Sequence, residues 1–228
     1  MVVLYEVQRE ILPDGGMKMK KLLCALVIAG SLAAFPSYAE VSSGQESETN
    51  WDVTYPVVSI EGNAEAQDTI NADLNDYLEQ LREDFQNGKY YICKEYYTVH
   101  YEDNDVLSIS IYQLRLPYGA NGNHSNSFDL VYDKHSGARI PLDNYVHVTV
   151  DDLDQYKWGH SYDQKGNKLK YENMWRTPLK EVPTNYFLTG GGVVCMVFRP
   201  YELTAGAFGS CYIELEPDYI EYLNRKNN

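Results

Sequence analysis

The chain has 228 residues and a formal net charge of −14, because 33 acidic side chains stand against 19 basic ones. Such an excess of negative charge disfavours binding to nucleic acid or anionic lipid and favours cationic partners. Tyrosine stands out, with 21 residues against 6 phenylalanines; it suits half-buried strand faces, stacking on sugar rings and interfaces.

The first 39 residues have the pattern of an export signal. A basic segment at 17–21 precedes an apolar run at 22–35, and small residues then lead up to Ala39. This pattern predicts cleavage between Ala39 and Glu40 and a periplasmic or secreted mature chain. The apolar run is shorter than the about 20 residues that a membrane span needs, so no membrane-spanning segment is expected in the mature protein.

Two features near the start of the chain allow other readings. Residues 1–16 do not fit the signal pattern, which suggests that translation starts at Met17 or Met19. Cys24 raises the possibility of a lipoprotein, but it opens the apolar run instead of ending it, so lipidation there is not expected.

The segment after the signal begins with a polar stretch, 40–50, for which we expect disorder. Alternation over 51–60 predicts a strand. The next segment predicts a long helix, because apolar residues recur at helical spacing and Asn87-Gly88 then ends the pattern. The apolar positions are Ile70, Leu74, Leu78, Leu81 and Phe85.

The middle of the chain predicts three more strands. Residues 90–101 and 106–116 read as a hairpin, because Asp103-Asn104-Asp105 between them is typical of a turn. A polar, glycine-rich loop follows at 117–126, and then a strand at 128–132.

The last third of the chain is less regular. Residues 149–183 are poorly patterned. Two apolar runs within 184–215, one with Cys195 and one with Cys211, flank Arg199 to Glu202 and predict neighbouring strands, and 217–226 predicts a terminal helix with proline at its start. The order of elements predicts an α+β fold with a mainly antiparallel sheet. We expect two intimately packed subdomains, 51–116 and 117–228.

Three cysteines remain after the predicted cleavage, in a compartment where disulfides persist. Cys195 and Cys211 lie in the two neighbouring apolar runs, so a disulfide between them is the first expectation. Cys93 as one of the partners is the alternative. The sequence has no Cys/His spacing typical of a metal site, and we expect neither a metal nor a cofactor.

Catalytic motifs are weak in this sequence. Ser210 follows a glycine but lacks the Gly-x-Ser-x-Gly elbow, and Gly190-Gly191-Gly192 is not followed by the residues of a phosphate loop. With so many acids, a carboxylate pair remains conceivable. Glu202 is the acid in the most distinctive motif, where we expect it to hydrogen-bond the local backbone.

Several motifs in one order resemble an extracytoplasmic domain family, that of the anti-sigma factor RsiV and the peptidoglycan deacetylase PdaC. The resemblance covers about residues 51–222. It is carried by Tyr55-Pro56, Ile70-Asn71, Gly119 to His124, Ser127 to Asp133, Ser136-Gly137, Ile140 to Asp143, Asn185 to Phe198 and Pro200 to Gly209. Asn121 to Asn123 interrupt the family's Gly-Ala-His loop, and the tract after Glu202 departs from its usual Ala-Pro-Tyr-Ala-Ala-Gly.

The resemblance implies a non-enzymatic recognition domain of the cell envelope. Its expected partners are cell-wall glycan or a basic wall-acting protein such as lysozyme. The alternative is a cell-wall hydrolase or deacetylase that uses buried carboxylates, which predicts a deep cleft with an acid of raised pKa. The expected ligand-binding residues are Tyr118, Asn121, Asn123, His124, Tyr201 and Glu202.

Overall fold

A computed structural model describes residues 9–11, 17–19, 39–119 and 124–228. Near the start of the chain, β1 (Arg9–Ile11) and β2 (Met17–Met19) pair as two antiparallel strands. A second, separate compact unit begins at Pro36 and runs to the end of the chain. The apolar run of the predicted export signal lies outside the described residues. Among the helices that are described, none is both long enough and apolar enough to cross a membrane.

A five-stranded sheet forms the first layer of the larger unit. Its strands are β3 (Ala39–Glu48), β4 (Trp51–Ile60), β5 (Ile92–Glu102), β6 (Val106–Leu116) and β7 (His124–Asp133), side by side in that order. Adjacent strands are antiparallel except β4 and β5, which are parallel. The parallel pair is possible because α1 (Ala64–Gln86) connects β4 to β5 as a crossover.

Helix α1 covers one face of this sheet along the predicted apolar stripe. Ile70, Leu74 and Leu78 are each at most 4% exposed and pack on strand residues. Asn63 begins the helix, since its side chain accepts a hydrogen bond from the amide of Ala66, and Asn87 is its C-cap. The predicted helix is confirmed.

The predicted β5–β6 hairpin is also confirmed, and its turn has a clear chemical cause. The Asp103 carboxylate accepts hydrogen bonds from the amides of Asp105 (2.9 Å) and Val106 (2.8 Å). These bonds fold the backbone back on itself, as aspartate does in such turns. The hairpin then places Leu107 and Ile109 against α1.

The prediction of disorder over 40–50 is wrong. Residues 40–48 belong to β3, which pairs with β4 from Ala39↔Ile60 to Glu48↔Trp51. Most of its side chains are polar, because an edge strand is held by backbone hydrogen bonds and only some of its side chains face the core. Glu46 adds a side-chain contact, accepting a hydrogen bond from the indole of Trp51 (3.1 Å).

A four-stranded antiparallel sheet forms the second layer. Its strands are β8 (Ser161–Asp163), β9 (Tyr186–Thr189), β10 (Val193–Phe198) and β11 (Cys211–Leu215), in the spatial order β8, β11, β10, β9. Two helices, α2 (Val150–Tyr156) and α3 (Pro217–Asn227), belong to this part of the chain. Short 3-10 helices lie at Leu142–Asn144, Tyr171–Asn173, Gly190–Gly192 and Gly206–Phe208. The predicted α+β class with mainly antiparallel sheets is confirmed.

The boundary expected between residues 116 and 117 falls between two paired strands. Because β6 and β7 pair from Val106↔Asp133 to Arg115↔His124, residues 124–133 complete the first layer. The boundary between the layers therefore lies after Asp133. The layers touch through β9, where the amide of Leu188 donates to the hydroxyl of Ser108 (2.9 Å).

The expected disulfide between Cys195 and Cys211 is wrong, and so is the alternative with Cys93: all three cysteines are free and buried. In the β10–β11 register, Cys195 lies opposite Glu214 and Cys211 opposite Phe198. Cys195 packs with Phe187 and Val197, whereas Cys211 packs in the core on the opposite face of the sheet. Side chains on opposite faces cannot be bridged.

Gly137 is a position where the fold requires glycine. Its φ is +76°, and an added Cβ would lie 2.7 Å from the carbonyl oxygen of Ala66 and 2.7 Å from Thr69 Cβ. We expect Gly137→Ala to lower the free energy of unfolding by about 2 kcal/mol, from the left-handed backbone and the overlap with α1.

The matched control is Gly62→Ala, because Gly62 has a φ of +78° with nothing within 4 Å of an added Cβ. We expect a loss of about 1 kcal/mol there, from backbone strain alone. Urea unfolding of both variants measures the difference. Equal losses would show that the contact with α1 costs nothing.

Candidate functional site

A cleft of about 720 Å³ lies between the segment 175–185 and the corner that follows β10. Its volume is in the range of about 300–1,000 Å³ that is usual for ligand sites. Its lining includes Trp175, Leu179, Lys180, Glu181, Arg199, Tyr201 and Glu202.

One wall of the cleft is the corner at 199–206. Tyr201 has a φ of +75°, which is rare for a residue with a side chain. Glu202 closes the corner, because its carboxylate accepts a hydrogen bond from the amide of Arg199 (2.7 Å). The role expected for Glu202 from the sequence is therefore the one observed. The Tyr201 ring lies over Gly206, where an added Cβ would approach it to 2.2 Å.

Trp175 is fastened to this corner by two hydrogen bonds. Its backbone amide donates to the carbonyl of Leu203 (2.8 Å), and its indole nitrogen donates to the carbonyl of Tyr201 (3.2 Å). Trp175 nevertheless stays 41% exposed and Tyr201 stays 74% exposed. The cleft thus presents two accessible aromatic side chains whose backbones are held in place.

The opposite wall is anchored to α2 and the residue after it. The Asp154 carboxylate accepts from the amide of Leu179 (2.9 Å), and the Lys157 ammonium donates to the carbonyl of Thr177 (3.1 Å). Asp154 and Lys157 also pair with each other at 2.7 Å. Burial alone would raise the pKa of Asp154, but the hydrogen bonds from Lys157 and Leu179 lower it below its usual value.

These walls combine flat apolar surface with polar groups. Lys180, Glu181 and Arg199 line the cleft beside the two aromatic residues. An aromatic face covers the apolar side of a ring-shaped ligand, while charged and amide groups bind its hydroxyls. Within the described ranges, no group of three or more His, Cys, Asp or Glu side chains is placed to hold a metal ion.

The residues predicted as ligand-binding lie in two places. Tyr201 and Glu202 line the cleft together. Tyr118 and His124 lie instead at the end of the β6–β7 hairpin, where the Tyr118 ring meets the Tyr91 ring at 5.0 Å. Asn121 and Asn123 lie outside the described residues. The structure therefore does not bring Tyr118 and His124 to the cleft.

Trp175 is not among the site residues predicted from the sequence. It lies in the poorly patterned segment, and its partner Tyr201 is 26 positions away along the chain. One signal was available: Trp175 is one of only three tryptophans, and it falls outside every predicted strand and helix. A large aromatic residue in a loop is often a binding residue.

A second concavity, the interlayer pocket, lies between the two sheets and has a volume of about 230 Å³. Its polar lining includes His100 and Asp129, which are linked through the buried Ser110. The Ser110 hydroxyl lies 2.8 Å from His100 Nε2 and donates to Asp129 Oδ1 (2.5 Å).

Burial shifts both titrating groups of this pocket away from their charged forms. It lowers the pKa of His100 to about 4. It raises the pKa of Asp129 to about 6, although hydrogen bonds from Ser110 and Ser127 act in the opposite direction. No sequence pattern predicts this cluster, because its members are ten or more residues apart on three different strands.

Solved structures share this fold at low sequence identity. A member of the DUF3298 family from Bacteroides fragilis is 15% identical, with a TM-score of 0.59 over 82% of this chain and 94% of that one. A DUF3298 family protein from Pseudomonas aeruginosa is 10% identical, with a TM-score of 0.56 over the same shares. No protein-family model and no curated protein matches this sequence. At these identities the likeness establishes the fold alone.

Proposed function

We propose that this protein is an exported, non-enzymatic recognition domain of the cell envelope that binds the glycan of peptidoglycan in the cleft. The observation that carries the proposal is the pair of accessible aromatic residues, Trp175 and Tyr201, joined by a hydrogen bond from the Trp175 indole to the Tyr201 carbonyl and placed beside charged side chains. Rigid aromatic anchors bind with little loss of conformational entropy.

Export is supported by the signal pattern of the first 39 residues. Cleavage between Ala39 and Glu40 would remove one residue of β3 and leave the pairing from Glu40↔Ser59 onward available. The cleaved chain would thus keep its edge strand.

A role at the cell wall is supported by the resemblance to the RsiV and PdaC domain family. One of the resembling motifs, Pro200 to Leu203, forms a wall of the cleft and carries Tyr201 and Glu202. The resemblance and the concave aromatic site point to the same part of the molecule.

A basic wall-acting protein such as lysozyme is the second candidate ligand. It is favoured by the net charge of −14, which attracts cationic partners over long range. Salt separates the two candidates: attraction between charged surfaces weakens as ionic strength rises, whereas stacking on aromatic rings does so much less.

The test is retention of the chain from Glu40 onward on insoluble peptidoglycan over a salt series. We expect Trp175→Ala to weaken binding by about 2 kcal/mol, roughly thirtyfold, as is typical for a central aromatic anchor. Tyr201→Ala is expected to act in the same direction.

The matched control is Tyr222→Ala, because Tyr222 is 49% exposed on α3 and does not line the cleft. Its removal should leave retention unchanged. Retention of Trp175→Ala at the wild-type level would exclude the cleft as the glycan site. Retention of lysozyme alone, lost at high salt, would instead favour the second candidate.

The alternative function, a hydrolase or deacetylase, requires a buried acid in its cleft. Burial raises the pKa of Glu95 to about 7 and that of Asp129 to about 6, yet neither residue lines the cleft. Glu95 instead accepts a hydrogen bond from Gln113 (2.6 Å). Release of sugar fragments or acetate from peptidoglycan, abolished by Glu95→Gln or Asp129→Asn, would establish this alternative.

A further inference from the structure

The interlayer pocket has a polar side that is built and held in place. Asp129 is 9% exposed and Ser110 is fully buried, so both are fixed within the sheet. The His100 ring is clamped between its contact with Ser110 and the Phe187 ring, which stacks on it at 4.0 Å and 20°. Because these side chains are already ordered, ligand binding would cause little further loss of conformational entropy at the site.

The polar side also has unused capacity for hydrogen bonding. Among the described residues, Asp129 Oδ2 has one partner, the Ser127 hydroxyl, at the long distance of 3.3 Å. A carboxyl group offers about four acceptor positions, and Asp129 uses two of them with these residues. Both Asp129 and Ser127 line the pocket, so these groups can meet a ligand directly.

The facing side of the pocket combines aromatic and apolar side chains with the hydroxyl groups of Thr189 and Ser210. Phe187 and Tyr212 meet edge to face at 5.2 Å, and Val197 lies beside them. Val197 lines the cleft as well, so the two concavities lie next to the same strand, β10. Because the His100 ring already stacks on Phe187 at 4.0 Å, a ligand ring would lie against Tyr212 and Val197, opposite the polar side, and this arrangement suits a sugar.

The opening of the pocket is marked by Gln164, which is exposed and lines it. Its amide nitrogen donates to the Tyr96 hydroxyl (3.2 Å), joining the turn after β8 to β5 of the other sheet. Gly209, with a φ of +72°, gives this side chain room, because an added Cβ would lie 2.8 Å from Gln164 Oε1. Gln164 thus lines the pocket at the protein surface and links the two layers.

Size and charge limit the ligand. At about 230 Å³ the pocket is smaller than the roughly 300–1,000 Å³ of typical ligand sites, which restricts it to a small molecule. The Asp129 carboxylate and the net charge of −14 oppose an anion. The neutral hydroxyl groups of Ser127, Thr189 and Ser210 also line the pocket and favour an uncharged ligand with several hydroxyl groups over a cation.

We propose that the interlayer pocket binds a single neutral saccharide residue, with its hydroxyls on Asp129 and Ser127 and its ring against Tyr212 and Val197. The choice of a saccharide rests on the proposed function, whereas the pocket and its preference for an uncharged polyol do not. The site would recognise one residue of a glycan, separately from the binding of a longer chain in the cleft.

The test is titration of the isotope-labelled chain from Glu40 onward with N-acetylglucosamine, followed by backbone amide and tryptophan indole resonances. We expect the amides of Ser127, Phe187 and Tyr212 to shift while the Trp175 indole resonance does not. Glucuronate, an anionic sugar, should bind at least tenfold more weakly.

Ser127→Phe should fill the pocket and reduce N-acetylglucosamine affinity at least tenfold. Ser125→Phe, the same change at an exposed position of the same strand, should not. If Ser127→Phe fails to fold, the wild-type shifts still decide. Shifts confined to the Trp175 indole would overturn the pocket while leaving the cleft proposal intact.

Absence of any shift, as expected for a pocket that holds only ordered water, would overturn the inference whatever the outcome with peptidoglycan. Conversely, shifts in the pocket without retention on peptidoglycan would uphold the pocket and reject the proposed function of the cleft.

Discussion

Asp154→Ala is expected to lower the free energy of unfolding by about 3 kcal/mol, because it leaves a buried ammonium group without its ionic partner. Lys157 is 1% exposed, and its remaining contacts would be the carbonyl of Thr177 (3.1 Å) and the ring of Trp158 (4.9 Å). Neither contact neutralises the charge. The midpoint of urea unfolding measures the loss, provided that the slope with urea is unchanged.

The same substitution should weaken glycan retention. The Asp154 carboxylate also accepts the amide of Leu179, which lines the cleft (2.9 Å). Loss of this bond releases Leu179 from α2, while Thr177 keeps its contact with Lys157. The expected result is weaker binding without removal of any residue that would touch the glycan.

Two variants control for the cause. Adding Lys157→Met to Asp154→Ala should recover most of the stability, because replacing a buried ion pair by apolar side chains is often nearly neutral. Glu221→Ala breaks a pair whose partner, Arg225, is 3.5 Å away, with both side chains about 70% exposed. Its effect should stay within about 0.5 kcal/mol. A loss as large as that of Asp154→Ala would contradict the role of burial.

The second expected result is a pair of opposite pH dependences from the interlayer pocket. His100 is neutral in the folded protein down to about pH 4, whereas its ordinary pKa is 6.5. The unfolded chain therefore binds more protons between these values, and this contribution to stability is lost as the pH falls from 6.5 to 4. Asp129 acts in the opposite sense: its pKa rises from 3.8 to about 6, so its contribution is lost as the pH rises through that window.

The two contributions nearly cancel between pH 4 and 6 in the wild-type protein, so single variants should reveal them. Relative to wild type, Asp129→Asn should gain about 3 kcal/mol of stability as the pH rises from 3.8 to 6, at about 1.4 kcal/mol per pKa unit. His100→Gln should lose about 3 kcal/mol relative to wild type as the pH rises from 4 to 6.5. Urea unfolding at half-unit steps of pH measures both differences.

The double variant Asp129→Asn/His100→Gln is the control. Since both contributions are removed together, its stability should run nearly parallel to that of wild type between pH 4 and 6. If the free energy of unfolding of either single variant runs parallel to that of wild type over this pH range, the substituted group has an ordinary pKa in the folded protein. The pocket would then be well hydrated.

The local pattern of the sequence was sufficient to predict the helices and strands that bury one regular face. The spacing of Ile70, Leu74 and Leu78 predicted α1, and Asp103 predicted the turn of the β5–β6 hairpin. Both elements depend on interactions among residues close in sequence. The spacing of apolar residues, 3.6 in a helix and 2 in a strand, and the presence of turn-forming residues therefore predict them. The order of such elements was enough for the α+β class.

The tertiary structure decided what depends on partners distant in the chain. The polar segment 40–48 is a strand because its backbone forms hydrogen bonds with β4. No apolar pattern in the segment predicts that pairing. The free state of Cys195 and Cys211 follows from the faces they occupy in one register of β10 and β11. Hydrophobic alternation says that a strand is buried, but not which neighbour it meets.

The candidate sites divide in the same way. Tyr201 and Glu202 belong to a motif that the sequence shows, whereas Trp175 joins them only through hydrogen bonds formed on folding. His100, Ser110 and Asp129 come from three strands and meet because the register of β5, β6 and β7 places them side by side. Composition and local pattern thus determined the α+β fold class and most of the helices and strands. Strand register and loop packing determined its sites, because a site is made of contacts between residues that no local period links.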